Sequence, residues 1–97
     1  MEEKVAPGFV YVIGTPTAKG CQTYVGWTLD PERRLAQHNS GTGAKSTRGR
    51  CWHLLYVEKL DTPAAAMSRE WHLKRDRRFR KQLSSLPLCG LDTQGPA

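Results

Sequence analysis

Apolar positions in this chain come in short bursts, separated by polar stretches marked with glycine and proline. Phe9-Val10-Tyr11-Val12-Ile13 is dense in β-branched and aromatic residues and predicts a buried strand. Gly14 to Gly20, with Pro16 inside it, reads as a loop. Thr23-Tyr24-Val25-Gly26-Trp27-Thr28 reads as a strand returning antiparallel to the first. Asp30-Pro31 then opens a helix: the aspartate caps the free amide groups, and proline suits the first helical position because its missing N–H had no partner there. That helix runs to about Asn39, where Ser40-Gly41-Thr42-Gly43 ends it.

A polar, basic loop from Ala44 to Cys51 leads into a third strand, Trp52 to Leu60, with the apolar pairs Leu54/Leu55 and Tyr56/Val57 between polar ends. Thr62-Pro63 repeats the cap-and-proline start, and Ala64-Ala65-Ala66 follows with the strongest helix former. This second helix should reach Arg75. Asp76 is placed to cap a third helix ending at Leu83, with Phe79, Leu83 and Leu86 inward. The order β-β-α-β-α-α implies an α+β fold resembling an α/β sandwich: a small, three-stranded, mainly antiparallel sheet flanked by helices. A chain of 97 residues has room for a single domain. Residues 1–8 read as a disordered lead-in, 9–84 as the domain, and 85–97 as a flexible tail.

Composition changes this picture in two places. Cys21, Cys51 and Cys89 are odd in number and widely spaced, which argues against a disulfide framework and favours three reduced thiols. With His38, His53 and His72 they supply zinc-type ligand chemistry but no Cys-x-x-Cys or His-x(3–5)-His pair. The apolar runs are strand-sized and Glu2 and Glu3 stand where a signal peptide carries positive charge, so no membrane span and a cytoplasmic location are expected.

The formal charge of +6 is unevenly placed. Arg69 to Lys81 holds seven basic residues against Glu70 and Asp76, and Lys45, Arg48 and Arg50 form a second group. Clustered positive charge attracts a polyphosphate backbone without reading its sequence, although a solvated helix face carries the same signature.

Hydrolysis of a phosphodiester needs a base for water, positive charge on the non-bridging oxygens, and help for the leaving oxygen. Arg34 and His38 stand at i and i+4, so both leave one face of the first helix. Arg34 suits two-pronged phosphate binding and stabilisation of transition-state charge, where its neighbour Arg33 reads as an ordinary surface arginine. Tyr11 and Tyr24 have core packing as their ordinary role. A phenol ionises near pH ~10, so it makes a base only where a cation or histidine lowers that value, and Arg34 and His38 offer such surroundings. Glu70 borders a helical stripe of Met67, Trp71 and Lys74. It either pairs with Lys74 or supplies a single carboxylate ligand to Mg²⁺.

These stretches, taken in order, resemble the GIY-YIG nuclease domain. The resemblance runs from about Phe9 to Leu83 and is closest to small stand-alone bacterial members and to the nuclease domain of Slx-type structure-specific enzymes. It implies a metal-dependent endonuclease acting on DNA, with branched or structured DNA as substrate and Mg²⁺ or Mn²⁺ as cofactor. By that resemblance Tyr11 looks like the general base, Tyr24 positions water and phosphate, and Arg34 stabilises the transition state. His38 would relay the proton from Tyr11, and Glu70 would hold the metal. Thr47, Arg48 and Gly49 match a loop that approaches the nucleic-acid backbone, and Lys45, Arg50, Lys74 and Arg78 complete the expected contacts. Phe9 stands where the name-giving glycine does, and Gln82 stands about where many members carry an asparagine. Two other readings use the same features: a nucleic-acid-binding module that keeps the fold with little or no cleavage, and a small protein-interaction domain using Trp27 or Trp52. The oligomeric state is left open.

Overall fold

A computed structural model describes residues 6–18, 20–43 and 49–84 of the chain. Three strands, β1 (Gly8–Thr17), β2 (Gly20–Thr28) and β3 (His53–Leu60), form a fully antiparallel sheet in the order β2-β1-β3. Three helices complete the fold: α1 (Pro31–Ser40) between β2 and β3, then α2 (Pro63–Arg75) and α3 (Arg77–Ser84) after the sheet. The expected α+β class and element order are those observed.

The helix starts follow their capping chemistry. Asp30 Oδ1 accepts from the Arg33 amide at 3.2 Å, Thr62 Oγ1 from the Ala65 amide at 3.1 Å, and Asp76 Oδ1 from the Phe79 amide at 3.0 Å. Gly41, at φ 88°, ends α1 in the left-handed conformation that glycine adopts without steric cost.

The first hairpin is longer than the pattern suggests. Gly14, Thr15 and Pro16, expected in a loop, continue β1 opposite Thr23, Gln22 and Cys21. Proline is tolerated there because β3 pairs with β1 only as far as Gly14, so Pro16 needs no second ladder partner. Gly8, expected at the end of the lead-in, opens β1 instead. It is buried against the start of α2, where an added Cβ would lie 2.8 Å from both the Ala66 Cβ and the Pro63 Cα.

Alternation along β1 sends its side chains into two cores. Val10 and Val12 join Val25, Leu73 and Leu83 beneath α2 and α3, flanked by Leu55, Tyr56, Leu60 and Phe79. Tyr11 and Ile13 point the other way, into a cluster with Trp52, Tyr24 and Leu35 of α1. A register irregularity at Val12/Ile13 takes β1 from Tyr56 directly to Leu54, which lets Leu55 and Tyr56 serve the same core. Trp52 is 2% exposed, so it cannot serve the interaction surface expected of it. The stripe of Met67 and Trp71 on α2 faces solvent, at 46% and 53% exposed, while Ala66 and Leu73 are the fully buried positions. The small Ala66 lets the start of α2 sit close on β1 at Gly8, while Met67 and Trp71 are left outside.

Cys51, expected as a reduced thiol, is free and exposed. Among the described residues no helix is long and apolar enough to cross a membrane. Leu86, Cys89, Lys45, Thr47 and Arg48 lie outside the described residues, as do residues 1–5 and 85–97.

Candidate active site

Tyr11 occupies the middle of the central strand, directly opposite Gly26 in the β1–β2 register. Its ring lies across that glycine: an added Cβ at Gly26 would collide with the phenol hydroxyl and come within 2.7 Å of its Cζ. Glycine is therefore required at position 26 by close approach of a functional side chain. The sequence signal was available, since a glycine inside a strand marks such an approach.

From the other side, α1 lays His38 over the same phenol. The Tyr11 hydroxyl and His38 Nε2 are 2.9 Å apart, with the residues 2% and 0% exposed. Burial, together with the nearby Arg34 charge, holds the His38 pKa below its ordinary value. We therefore assign a neutral imidazole whose Nε2 accepts the Tyr11 proton, leaving the ring proton on Nδ1. Tyr24 completes an aromatic cluster, 6.4 Å from Tyr11 and 5.0 Å from His38 between ring centroids.

The expected lowering of the Tyr11 pKa does not occur. Burial pushes it up; Arg34 beside the phenol pulls it down, and the Glu70 carboxylate adds to the rise. Desolvation of the phenolate outweighs the one adjacent cation.

Arg34 is half-buried and donates from Nη1 to Gln37 Oε1 at 3.0 Å, so the guanidinium is held along the helix surface. It lines an open cleft of about 360 Å³ with Trp27, Leu29, Asp30, Arg33 and Gln37. Glu70 reaches the site from α2, close enough to disfavour the Tyr11 phenolate. It is paired with Lys74 Nζ at 3.2 Å.

Three supporting residues carried no obvious chemical signal in the sequence. Asn39 donates from Nδ2 to the Trp52 carbonyl at 3.1 Å and accepts from the Trp52 amide at 2.6 Å, tying the end of α1 to the start of β3. Trp52 in turn packs edge-on against Tyr24, 6.5 Å between centroids. Gly43 lies against the imidazole, where an added Cβ would be 2.7 Å from His38 Nδ1. Gln37 is the third, through its bond to Arg34.

Of the expected nucleic-acid contacts, Arg50, Lys74 and Arg78 are exposed. The basic run from Arg69 to Lys81 is partly structural. Arg69 pairs with Glu58 at 2.9 Å, which holds that carboxyl below its ordinary pKa. Arg80 caps the end of α2, donating to the Leu73 and Lys74 carbonyls at 3.3 and 2.8 Å.

Among the described residues no three His, Cys, Asp or Glu side chains gather into a metal cage. Among the described residues the carboxylate felt at Tyr11 is that of Glu70, while Asp30 at the cleft caps α1. Such a donor set fits a hard cation that keeps most of its waters and takes further oxygens from a phosphate, as Mg²⁺ does. It does not fit a cation that needs three or four protein ligands.

UPF0213 proteins resemble the chain closely: that of Haloquadratum walsbyi is 50% identical over 60 residues, covering 61% of this chain and 67% of its own. That of Natronomonas pharaonis is 40% identical over 78 residues, or 79% of this chain and 88% of its own. That of Clostridium perfringens is 39% identical over 74 residues, or 75% and 76%. No solved structure matches the chain. The family model of the GIY-YIG catalytic domain matches residues 7–83, which takes in both tyrosines, Arg34, His38 and Glu70, and the chain belongs to that nuclease family.

Proposed function

We propose that the protein is a divalent-metal-dependent endonuclease that hydrolyses phosphodiester bonds in DNA, with branched or otherwise structured DNA as its target. The observation that carries this reading is the buried hydrogen bond between Tyr11 and His38, 2.9 Å long, with Arg34 one helical turn before His38.

A standing phenolate is disfavoured by burial, so the tyrosine works as a relay. As water attacks phosphorus, its proton passes to the Tyr11 oxygen and the Tyr11 proton passes to His38 Nε2. The neutral state of His38 makes that second transfer possible. Arg34 faces the charge that grows on the non-bridging oxygens, and its bond to Gln37 fixes it before substrate arrives. Tyr24 orients the water and the phosphate from its place beside both rings. Glu70 is the residue that would hold Mg²⁺ or Mn²⁺, whose positive charge would serve the phosphate and the leaving oxygen. Lys45, Thr47, Arg48, Arg50, Lys74 and Arg78 are the proposed backbone contacts.

One observation favours a second reading, a nucleic-acid-binding module with little cleavage: Glu70 is engaged by Lys74 at 3.2 Å. The pair is solvent-accessible and therefore worth little, so a cation can displace it.

The deciding experiment is cleavage of a labelled panel (single strand, duplex, flap, four-way junction, structured RNA) with Mg²⁺ or Mn²⁺, using Arg34→Ala and Glu70→Ala as controls. Cutting that needs the cation and is lost in both variants is the expected result. Binding of every substrate with no cutting would establish the second reading. Full cleavage by a folded Glu70→Ala protein would refute the role given to Glu70.

A further inference from the structure

The outward face of α2 carries side chains that the hydrolytic site does not use. Met67 and Trp71, one turn apart, are 46% and 53% exposed. One turn further, Arg75 lays its guanidinium 3.7 Å from the centroid of the Trp71 ring and donates from Nη1 to the Trp71 carbonyl at 3.1 Å. His72 meets the same ring edge-on, at 5.0 Å between centroids. A half-exposed indole is thus held in place by its helix neighbours, next in the chain to Glu70.

The surroundings decide what such a surface fits. Arg75, Arg77 and Arg78 are exposed beside it. Of the two acids on this stretch, Glu70 is paired with Lys74 at 3.2 Å and Asp76 caps α3 through the Phe79 amide at 3.0 Å. A solvated charged face has no use for an exposed tryptophan, and an acidic protein would leave the flat ring without a matching partner. A polyanion that also presents flat π-faces matches both features, and nucleic acid is that polymer.

We propose that Trp71 and Arg75 form a docking platform for the nucleic-acid strand held at Glu70. A base stacks on the exposed indole, and the flanking phosphates meet Arg75 and Arg78. The proposal rests on the reading that nucleic acid is the substrate and adds the direction in which the strand leaves the site: outward across α2 toward α3.

The test uses the full chain in EDTA, so that binding is measured without cleavage. A fluorescein-labelled oligonucleotide is titrated by anisotropy across a salt series with wild type, Trp71→Ala, Trp71→Phe and Arg75→Ala, each checked for folding by thermal melting. Trp71→Ala is expected to weaken binding roughly tenfold, the size of one lost base stack, with the salt slope unchanged. Trp71→Phe should recover most of that affinity. Arg75→Ala should instead reduce the salt slope by about one. Oligonucleotide should also quench indole emission more strongly in wild type than in Trp71→Phe, which keeps Trp27 on the cleft. Wild-type-like affinity in Trp71→Ala, or quenching undiminished in Trp71→Phe, would overturn the platform and leave the nuclease reading standing. No binding by the wild type even at low salt would overturn both.

Discussion

Replacing Tyr11 with phenylalanine deletes a single oxygen from the centre of the site. That oxygen is hydrogen-bonded to His38 Nε2 at 2.9 Å, and both residues are buried, at 2% and 0% exposed. The ring keeps its packing against Ile13 and Trp52. The cost to stability is then that of leaving one buried imidazole nitrogen without its partner, about 1.5 kcal/mol within the usual range of roughly 1–3. For a domain of this size that lowers the melting temperature by roughly 6–12 °C. Catalysis should suffer far more, because the first acceptor of the water proton is gone: a loss of about 10²–10⁴-fold in cleavage rate. The two effects separate cleanly at 25 °C if urea unfolding first establishes that the variant is folded there. Cleavage of a labelled oligonucleotide is then followed in single-turnover conditions. A folded Tyr11→Phe protein that cuts within a few-fold of wild type would refute the relay and return Tyr11 to core packing. Unchanged stability would refute the buried hydrogen bond itself.

Other expectations follow from the same geometry. Because the His38 pKa is held below 6.5, its neutral form persists at mildly acidic pH, and cleavage should stay flat as pH falls through 6.5 before it declines. A rate that drops at or above pH 6.5 would count against it. The same shift means that stability is fully present above the unfolded value of 6.5 and is lost as pH falls through the folded one, which urea unfolding at several pH values measures. Gly26→Ala drives a methyl group into the Tyr11 phenol and should destabilise by about 1–3 kcal/mol. In a double-mutant cycle with Tyr11→Leu that penalty should shrink, and strict additivity would deny the contact. Arg78→Ala should reduce the salt slope of DNA binding by about one, whereas Arg80→Ala should leave the slope unchanged and lower the melting temperature, since Arg80 is spent on the end of α2.

The sequence carried the element order because each boundary is a local matter. Asp30-Pro31 and Thr62-Pro63 cap their helices through side chains a few residues away, and the composition of Phe9 to Ile13 makes it a strand in any context. The candidate site residues were legible for a similar reason: Arg34 and His38 share a helix face by spacing alone, and the motifs around Tyr11, Tyr24 and Glu70 repeat a family pattern.

Long-range contact decided the rest. Pro16 extends a strand because β3 stops short of it, which nothing near Pro16 announces. Ala66 and Leu73, and not Met67 and Trp71, form the buried face of α2 because those are the positions the sheet lies beneath. Arg80 reads like any basic residue of its run, yet it is committed to capping a helix that ended at Arg75. The Tyr11 pKa shows the division most clearly. Sequence placed an arginine and a histidine near it and so suggested an easily ionised phenol. Folding also removed the water around it, and the cost of desolvating a phenolate exceeds what one neighbouring cation returns. Side-chain identity fixes which charges are present, while burial, a property of the whole fold, fixes what each of them costs.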